Sequence, residues 1–270
     1  MLDQIFGHLF PSQWIVFVSL VIAFVALSEV GWRTGLARRR ASPEKTKDTT
    51  KSSVPAAVLT LLGLLLGFSF AMAVSRYEAR RELVVQEANS LGTTAYRAQL
   101  LPEPHAANVV RLLREYVPLR IEAYREAQLS ERFATLRKHS AELHDRLWNE
   151  AAAAAAEKPT PITASFIASL NETIDLETTS VAAKRNHVPG AVWLLLLSVA
   201  GFGMWLTSFE EGAGGRHSIL ERYIFPPLIA VVIALIADID TPIRGLVALD
   251  ERPLLELNET LSSSSTATTP

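Results

Sequence analysis

An apolar run over residues 54–74 passes, with no proline or turn cluster in between, into a charged, heptad-patterned segment that continues to Leu101. As one helix, residues 56–101 would extend about 69 Å, of which only about 30 Å fits within a hydrocarbon core. The remainder must enter water. The chain is therefore expected to be a multi-pass membrane protein whose second span is continuous with a water-exposed helical part.

The 270 residues are 49% hydrophobic, and the apolar ones lie in blocks rather than at an amphipathic period. Residues 13–32, 54–75, 188–209 and 223–241 are expected to be four transmembrane helices. Nothing alternates like a barrel strand, and open-edged strands cannot cross lipid, so the expected fold class is all-α. A helical stalk over residues 76–187 is inserted between spans 2 and 3, and the helices of both spans are expected to run on into it. The remaining segments are a basic loop (33–53), a short glycine-containing loop (210–222), a C-terminal amphipathic segment (242–261) and a disordered tail (262–270) with nothing to bury. Residues 1–32 hold no Lys or Arg and include Asp3, so the first span reads as a retained anchor rather than a signal peptide.

The loop after the first span carries Arg33, Arg38, Arg39, Arg40, Lys45, Lys47 and Lys51 against Glu44 and Asp48. By the positive-inside rule it faces the cytoplasm. With four spans, both termini and the stalk then lie on the periplasmic side of a bacterial inner membrane.

Within the stalk four helices are expected. The first continues the second span, with Tyr77, Val84, Leu91 and Ala98 seven apart and Ala88 and Ala95 beside them. The second covers residues 105–127 and turns Val109, Leu112, Leu113, Tyr116, Leu119 and Ala123 inward. The third covers residues 129–157, with Leu129, Phe133, Leu136, Ser140, Leu143 and Leu147 inward. The fourth covers residues 164–187, with Ile167, Leu170, Ile174 and Val181 inward. These seams are narrow, and neighbouring subunits are expected to supply part of the core.

On the second span Gly63, Gly67, Ala71 and Ser75 fall four apart, a small-xxx-small face on which another backbone can approach closely. Three readings stand open for it: packing against another span of the same chain, contact between subunits, or a pore-facing surface. At the end of the fourth span, Asp238 and Asp240 with Arg244 could form an ion-facing element. In the competing reading the span ends near Ala237, Asp240 or Thr241 caps a new helix, and Pro242 takes its first position. Glu29 and Arg33 have the favourable i, i+4 order for a helical ion pair. The six histidines lack metal-ligand spacing and are expected to be solvated.

Several function classes drop out. Cysteine is absent, which removes disulfides, thiolate metal sites and a Cys nucleophile, and the net charge of −2 gives no nucleic-acid footprint. No phosphate-binding loop, GxSxG or HExxH occurs. No cofactor is expected, and the chain is not expected to be an enzyme.

The string over residues 63–105 contains RYEARR (76–81), EANSLGT (87–93) and LPEP (101–104). Together with RLLREY (111–116) and DIDTPIRG (238–245), it resembles the bestrophin-like domain family of bacterial membrane proteins. The resemblance implies an integral membrane protein grouped with the bestrophins, whose relatives are pentameric anion channels. It implies as partners a lipid bilayer, further copies of the chain and inorganic anions. Two bestrophin features are missing here, the asparagine-proline-phenylalanine-type motif before an apolar neck and the calcium-binding acidic cluster. The bestrophins' helical domain is also cytoplasmic, opposite to the side on which the basic loop places the stalk. The alternative to a channel is a membrane-anchored scaffold or sensor that binds a protein through exposed apolar stalk residues such as Tyr96, Leu100 and Leu101.

Overall fold

A computed structural model describes residues 13–41, 53–126, 130–241 and 247–263, and all regular structure among them is helical. The helices are α1 (Gln13–Ala41), α2 (Val54–Ala98), α3 (His105–Arg125), α4 (Glu131–Glu157), α5 (Pro161–Arg185), α6 (Gly190–Gly214), α7 (Phe225–Asp240) and α8 (Arg252–Ser263). A π-helical turn, Leu220–Ile224, precedes α7. Among the described residues four stretches are long and apolar enough to cross a membrane, lying in α1, in α2, in α5 with α6, and in the π turn with α7. The chain is an all-α membrane protein.

Several boundaries differ from those expected. α1 continues nine residues past Trp32 to Ala41, and Arg38, Arg39 and Arg40 occupy its last turn, where cations complement the helix dipole. α2 is unbroken from Val54 to Ala98, but the matching continuity at the third span is absent: residues 186–189 separate α5 from α6. Pro189 causes the break, because it has no N–H to bond back into α5 and holds Val188 away from helical geometry. Gly212 and Gly214, expected in a loop, belong to α6, and Gly215 ends that helix in the left-handed conformation at φ 68°. α8 reaches Ser263, two residues into the segment expected to be disordered. There Ser262 donates to the Asn258 carbonyl at 2.7 Å and Ser263 to that of Thr260 at 3.0 Å. Residues 264–270 and Leu129 lie outside the described residues.

The chain divides into two compact units, and the first comprises Met1–Ser75 and His187–Val247. In it α1 packs along α6 and against α7. The approach of α1 to α6 is set by glycines: a β-carbon at Gly31 would overlap the Trp205 carbonyl, one at Gly35 that of Phe209, and one at Gly212 that of Trp32. Gly31 and Gly35 are themselves four apart, so the close helix pair uses a small-xxx-small pattern in the first span. Trp205 stacks between Phe202 and Phe209, with ring centroids 5.9 and 5.2 Å away.

The second unit, Arg76–Asn186 with Ala248–Pro270, is a helical bundle. Its core joins Val84, Leu91 and Ala98 of α2, Val109, Leu113 and Tyr116 of α3, and Leu143 and Leu147 of α4. Phe166 and Leu170 of α5 and Leu254 and Leu261 of α8 complete it. α8 is held by more than apolar contact: Arg114 donates to the Leu261 carbonyl at 2.7 Å, and Leu257 lies against Gly92.

The inward face of α5 is more polar than its Ile and Leu spacing indicates. Ile167 and Ile174 are only partly buried, whereas Ser169, Thr173, Glu177 and Ser180 are buried. They turn inward because α2 and α3 present partners. Thr173 Oγ1 lies 2.9 Å from Ser90 Oγ and 3.0 Å from Thr94 Oγ1, and Tyr116 donates to Glu177 at 2.5 Å. Arg120 makes a two-pronged ion pair with Glu87 and lies 3.2 Å from Glu177, while Tyr124 donates to Glu87 at 2.7 Å. Burial pushes the Tyr116 and Tyr124 hydroxyls well above their ordinary range, so both remain donors.

The histidines correct another expectation. His144 sits 3.1 Å from Glu177 and against the Tyr116 ring, and His105 is held between Glu150 at 2.8 Å and Glu157 at 3.2 Å. Carboxylates on the facing helix recruit them; His139 alone of this group is exposed. The Glu150 hydrogen bond raises the His105 pKa against the lowering effect of its slight desolvation, and Glu157 adds to the rise.

Three outcomes are expected. Gly212→Ala should lower thermal stability in detergent, overpacking of this kind costing about 1–3 kcal/mol, whereas Gly63→Ala should not. Arg120→Met leaves two carboxylates buried without their cation and should cost about 3–5 kcal/mol, read from denaturant unfolding. The folded-state pKa of His105 is raised, so its contribution to stability is complete below about pH 6.5 and is lost as pH rises through the folded value. Melting temperature measured across that window should fall with pH less steeply in His105→Gln than in the parent.

Candidate functional site

The membrane part of α2 has two unlike faces. Leu62, Leu66, Ser69 and Ala73 are buried within the first unit, at spacings of four, three and four. Gly63, Gly67, Ala71 and Ser75 are all exposed on the single chain, and a β-carbon built at Gly63 or Gly67 meets no atom within 4 Å. Leu64 and Phe68 are exposed beside them. Of the close approaches open to this face, none is made at either glycine among the described residues. The backbone-to-backbone approaches within the first unit are those of Gly31, Gly35 and Gly212.

Asp238 and Asp240 lie together at the C-terminal end of α7, both buried. Both carboxylate oxygens of Asp240 accept from the Val188 N–H, at 3.0 and 3.1 Å, and His187 Nδ1 lies 3.1 Å from the Asp240 carbonyl. Asp238 Oδ2 accepts from the Val247 N–H at 3.1 Å. The pair thus serves backbone N–H groups on the two segments that flank it, Asp240 doing so at the residue just before Pro189. Arg244 and Pro242 lie outside the described residues, so the third member of the ion-facing set and the proposed helix start are not placed.

A second charged cluster went unnoticed in the sequence. Arg222, in the π turn, is only 2% exposed. Its guanidinium carbon stands 4.1 Å from the Trp32 ring centroid, a cation–π contact, and its nitrogens are 3.9 Å from Glu29 Oε2 and 3.9 Å from Glu211 Oε2. Those separations exceed a hydrogen bond, and Arg222 Nε and Nη2 and both carboxylate Oε2 atoms have no hydrogen-bond partner. Glu29 Oε1 accepts from Arg33 Nε at 2.7 Å, the i, i+4 pair that its spacing indicates. The loop expected over residues 210–222 takes in Glu211, Glu221 and Arg222, although a Glu-Arg step directly before an apolar run is a usable signal of intramembrane charge. Among the described residues no group of three or more His, Asp or Glu side chains could hold a metal ion.

Comparison with known proteins bears on the whole arrangement. The Bestrophin-like domain matches residues 19–254. The fold is similar to a crystal structure of a bacterial bestrophin homologue from Klebsiella pneumoniae, with TM-score 0.62 and 17% identity over 94% of this chain and 99% of that one. Two single-residue variants of the Klebsiella homologue superpose with TM-score 0.68. One is 14% identical over 92% of this chain and 98% of its own, the other 15% identical over 94% and 97%. At such identities the likeness is one of fold. No curated protein matches the chain. With a domain match that covers most of its length, the chain belongs to the bestrophin-like domain family.

Proposed function

We propose that copies of this chain assemble in a bacterial inner membrane into an ion channel, with anions as the permeant class, and that the face of α2 bearing Gly63, Gly67, Ala71 and Ser75 surrounds or contacts the axial path. One observation carries the reading: a small-residue face on a membrane helix is left exposed among the described residues, while the opposite face of the same helix is buried. Membership of a family grouped with anion channels supports the choice of function. In this reading Asp238 and Asp240 act near the end of the fourth span, with Arg244 as their cationic neighbour. The basic composition of residues 33–53 supports a periplasmic position for the termini and the stalk.

A second reading, a membrane-anchored scaffold or sensor, is favoured by the apolar surface of the helical bundle. Tyr96 is 67% and Leu100 64% exposed, and Trp148 and Ile162 are exposed as well. Leu101, grouped with the first two by sequence, is buried in the bundle core.

Purified protein in liposomes should pass chloride in a flux assay, and protein-dependent flux that is absent under every lipid, voltage and pH tried would rule the channel out. Gly67→Leu should alter oligomer size in detergent or suppress flux while the helical content of the chain is preserved, because a β-carbon at this position meets no described atom of its own chain within 4 Å. An unchanged assembly with unchanged flux would remove this face from the site. Crosslinking in cells that captures a different protein through Tyr96 and Leu100 would favour the scaffold.

A further inference from the structure

Beside the buried Arg222 lies a cavity of about 350 Å³ that the channel reading does not use, lined by Glu211, Arg216, His217, Ser218 and Glu221. It sits between the end of α6 at Gly214 and the π turn that leads into α7, at the end of two membrane-crossing stretches. Glu211 is 3% exposed; its Oε1 accepts from the Ser218 N–H at 3.0 Å, and its Oε2 has no hydrogen-bond partner. The Glu221 carboxylate is close enough to act on it electrostatically. Arg222 stands 3.9 Å from Glu211 Oε2 and offsets that charge, so the exposed Glu221 carboxylate at the cavity is the one left to take a cation that donates hydrogen bonds.

The rest of the lining calls for the opposite charge. Arg216 and His217 are exposed at the cavity, and the Arg39 guanidinium occupies the space that a side chain at Gly215 would take. Cationic and hydrogen-bonding groups beside that carboxylate suit a zwitterion with an ammonium at one end and a phosphate at the other. Ile219, Leu220, Tyr223 and Ile224 next to the cavity are all exposed, an apolar surface at the end of a span where acyl chains lie. From this we infer that the cavity binds the headgroup of an aminophospholipid. The ammonium sits at Glu221, the phosphate faces Arg216 and His217, and the chains run along the exposed residues of the π turn.

The test is thermal unfolding of the full chain in detergent, titrated with mixed micelles that carry phosphatidylethanolamine, phosphatidylcholine or phosphatidylglycerol at equal mole fraction. The choline nitrogen donates no hydrogen bond and glycerol carries no cation. Phosphatidylethanolamine should therefore raise the melting temperature by about 3 °C or more beyond the other two. Glu221→Gln, at an exposed position, should raise the half-saturating phosphatidylethanolamine concentration about tenfold and erase the preference, whereas Arg216→Gln should weaken the ethanolamine and choline lipids alike. Equal responses to the ethanolamine and choline lipids, or a preference that survives Glu221→Gln, would overturn the site. Chain-free glycerophosphoethanolamine matching the lipid's effect at the same concentration would overturn the assignment to a lipid.

Discussion

The contact on which the first unit depends is backbone against backbone. At Gly31, Gly35 and Gly212 the main chains of α1 and α6 come so close that a methyl group would overlap a carbonyl oxygen. In lipid, where apolar side chains gain little by leaving the surrounding tails, such close packing is a main source of helix association. It also explains where the charges can be. With α1 drawn against α6, Glu29 and Trp32 of one helix and Glu211 of the other surround the guanidinium of Arg222, which aromatic π density and two carboxylates compensate inside the membrane region.

The second unit solves a different problem by related means. Its bundle contains an apolar core, yet through it runs a connected set of ionised and hydroxylic side chains: Glu87, Arg120, Tyr116, Glu177 and Tyr124. Replacing such a set wholesale by apolar residues is often neutral in energy, so its presence bears on which helix faces meet and in what register more than on net stability. Glu87 of α2, Arg120 of α3 and Glu177 of α5 each find a partner only when the three helices take one rotational setting.

Much of this was legible in the residues. The four apolar blocks follow from run length, the unbroken α2 from the lack of a breaker between its two parts, and the inward positions Val84, Leu91, Leu113, Leu143 and Leu147 from hydrophobic period. Period failed where polar side chains are the buried ones. On α5 the aliphatic rows pointed to Ile167 and Ile174, but Thr173 and Glu177 went inside because their partners on α2 and α3 are far away in sequence. The candidate site was legible as a pattern and not as a contact. Gly63 and Gly67 display a GxxxG motif within an all-apolar run, whereas the pair that packs within the chain, Gly31 and Gly35, has the same spacing with Trp32, Arg33 and Thr34 between them. Composition likewise hid Arg222, which reads as a loop residue until the π turn tucks it under Trp32.

The open face of α2 has one further property. Gly63, Gly67, Ala71 and Ser75 carry no group that gains or loses a proton in the physiological range, and at the two glycines the surface on offer is the peptide backbone itself. Fixed dipoles keep their strength when acidity changes. Any pH sensitivity in this protein must therefore originate at titratable groups elsewhere, and reach that face as a change of shape rather than of charge.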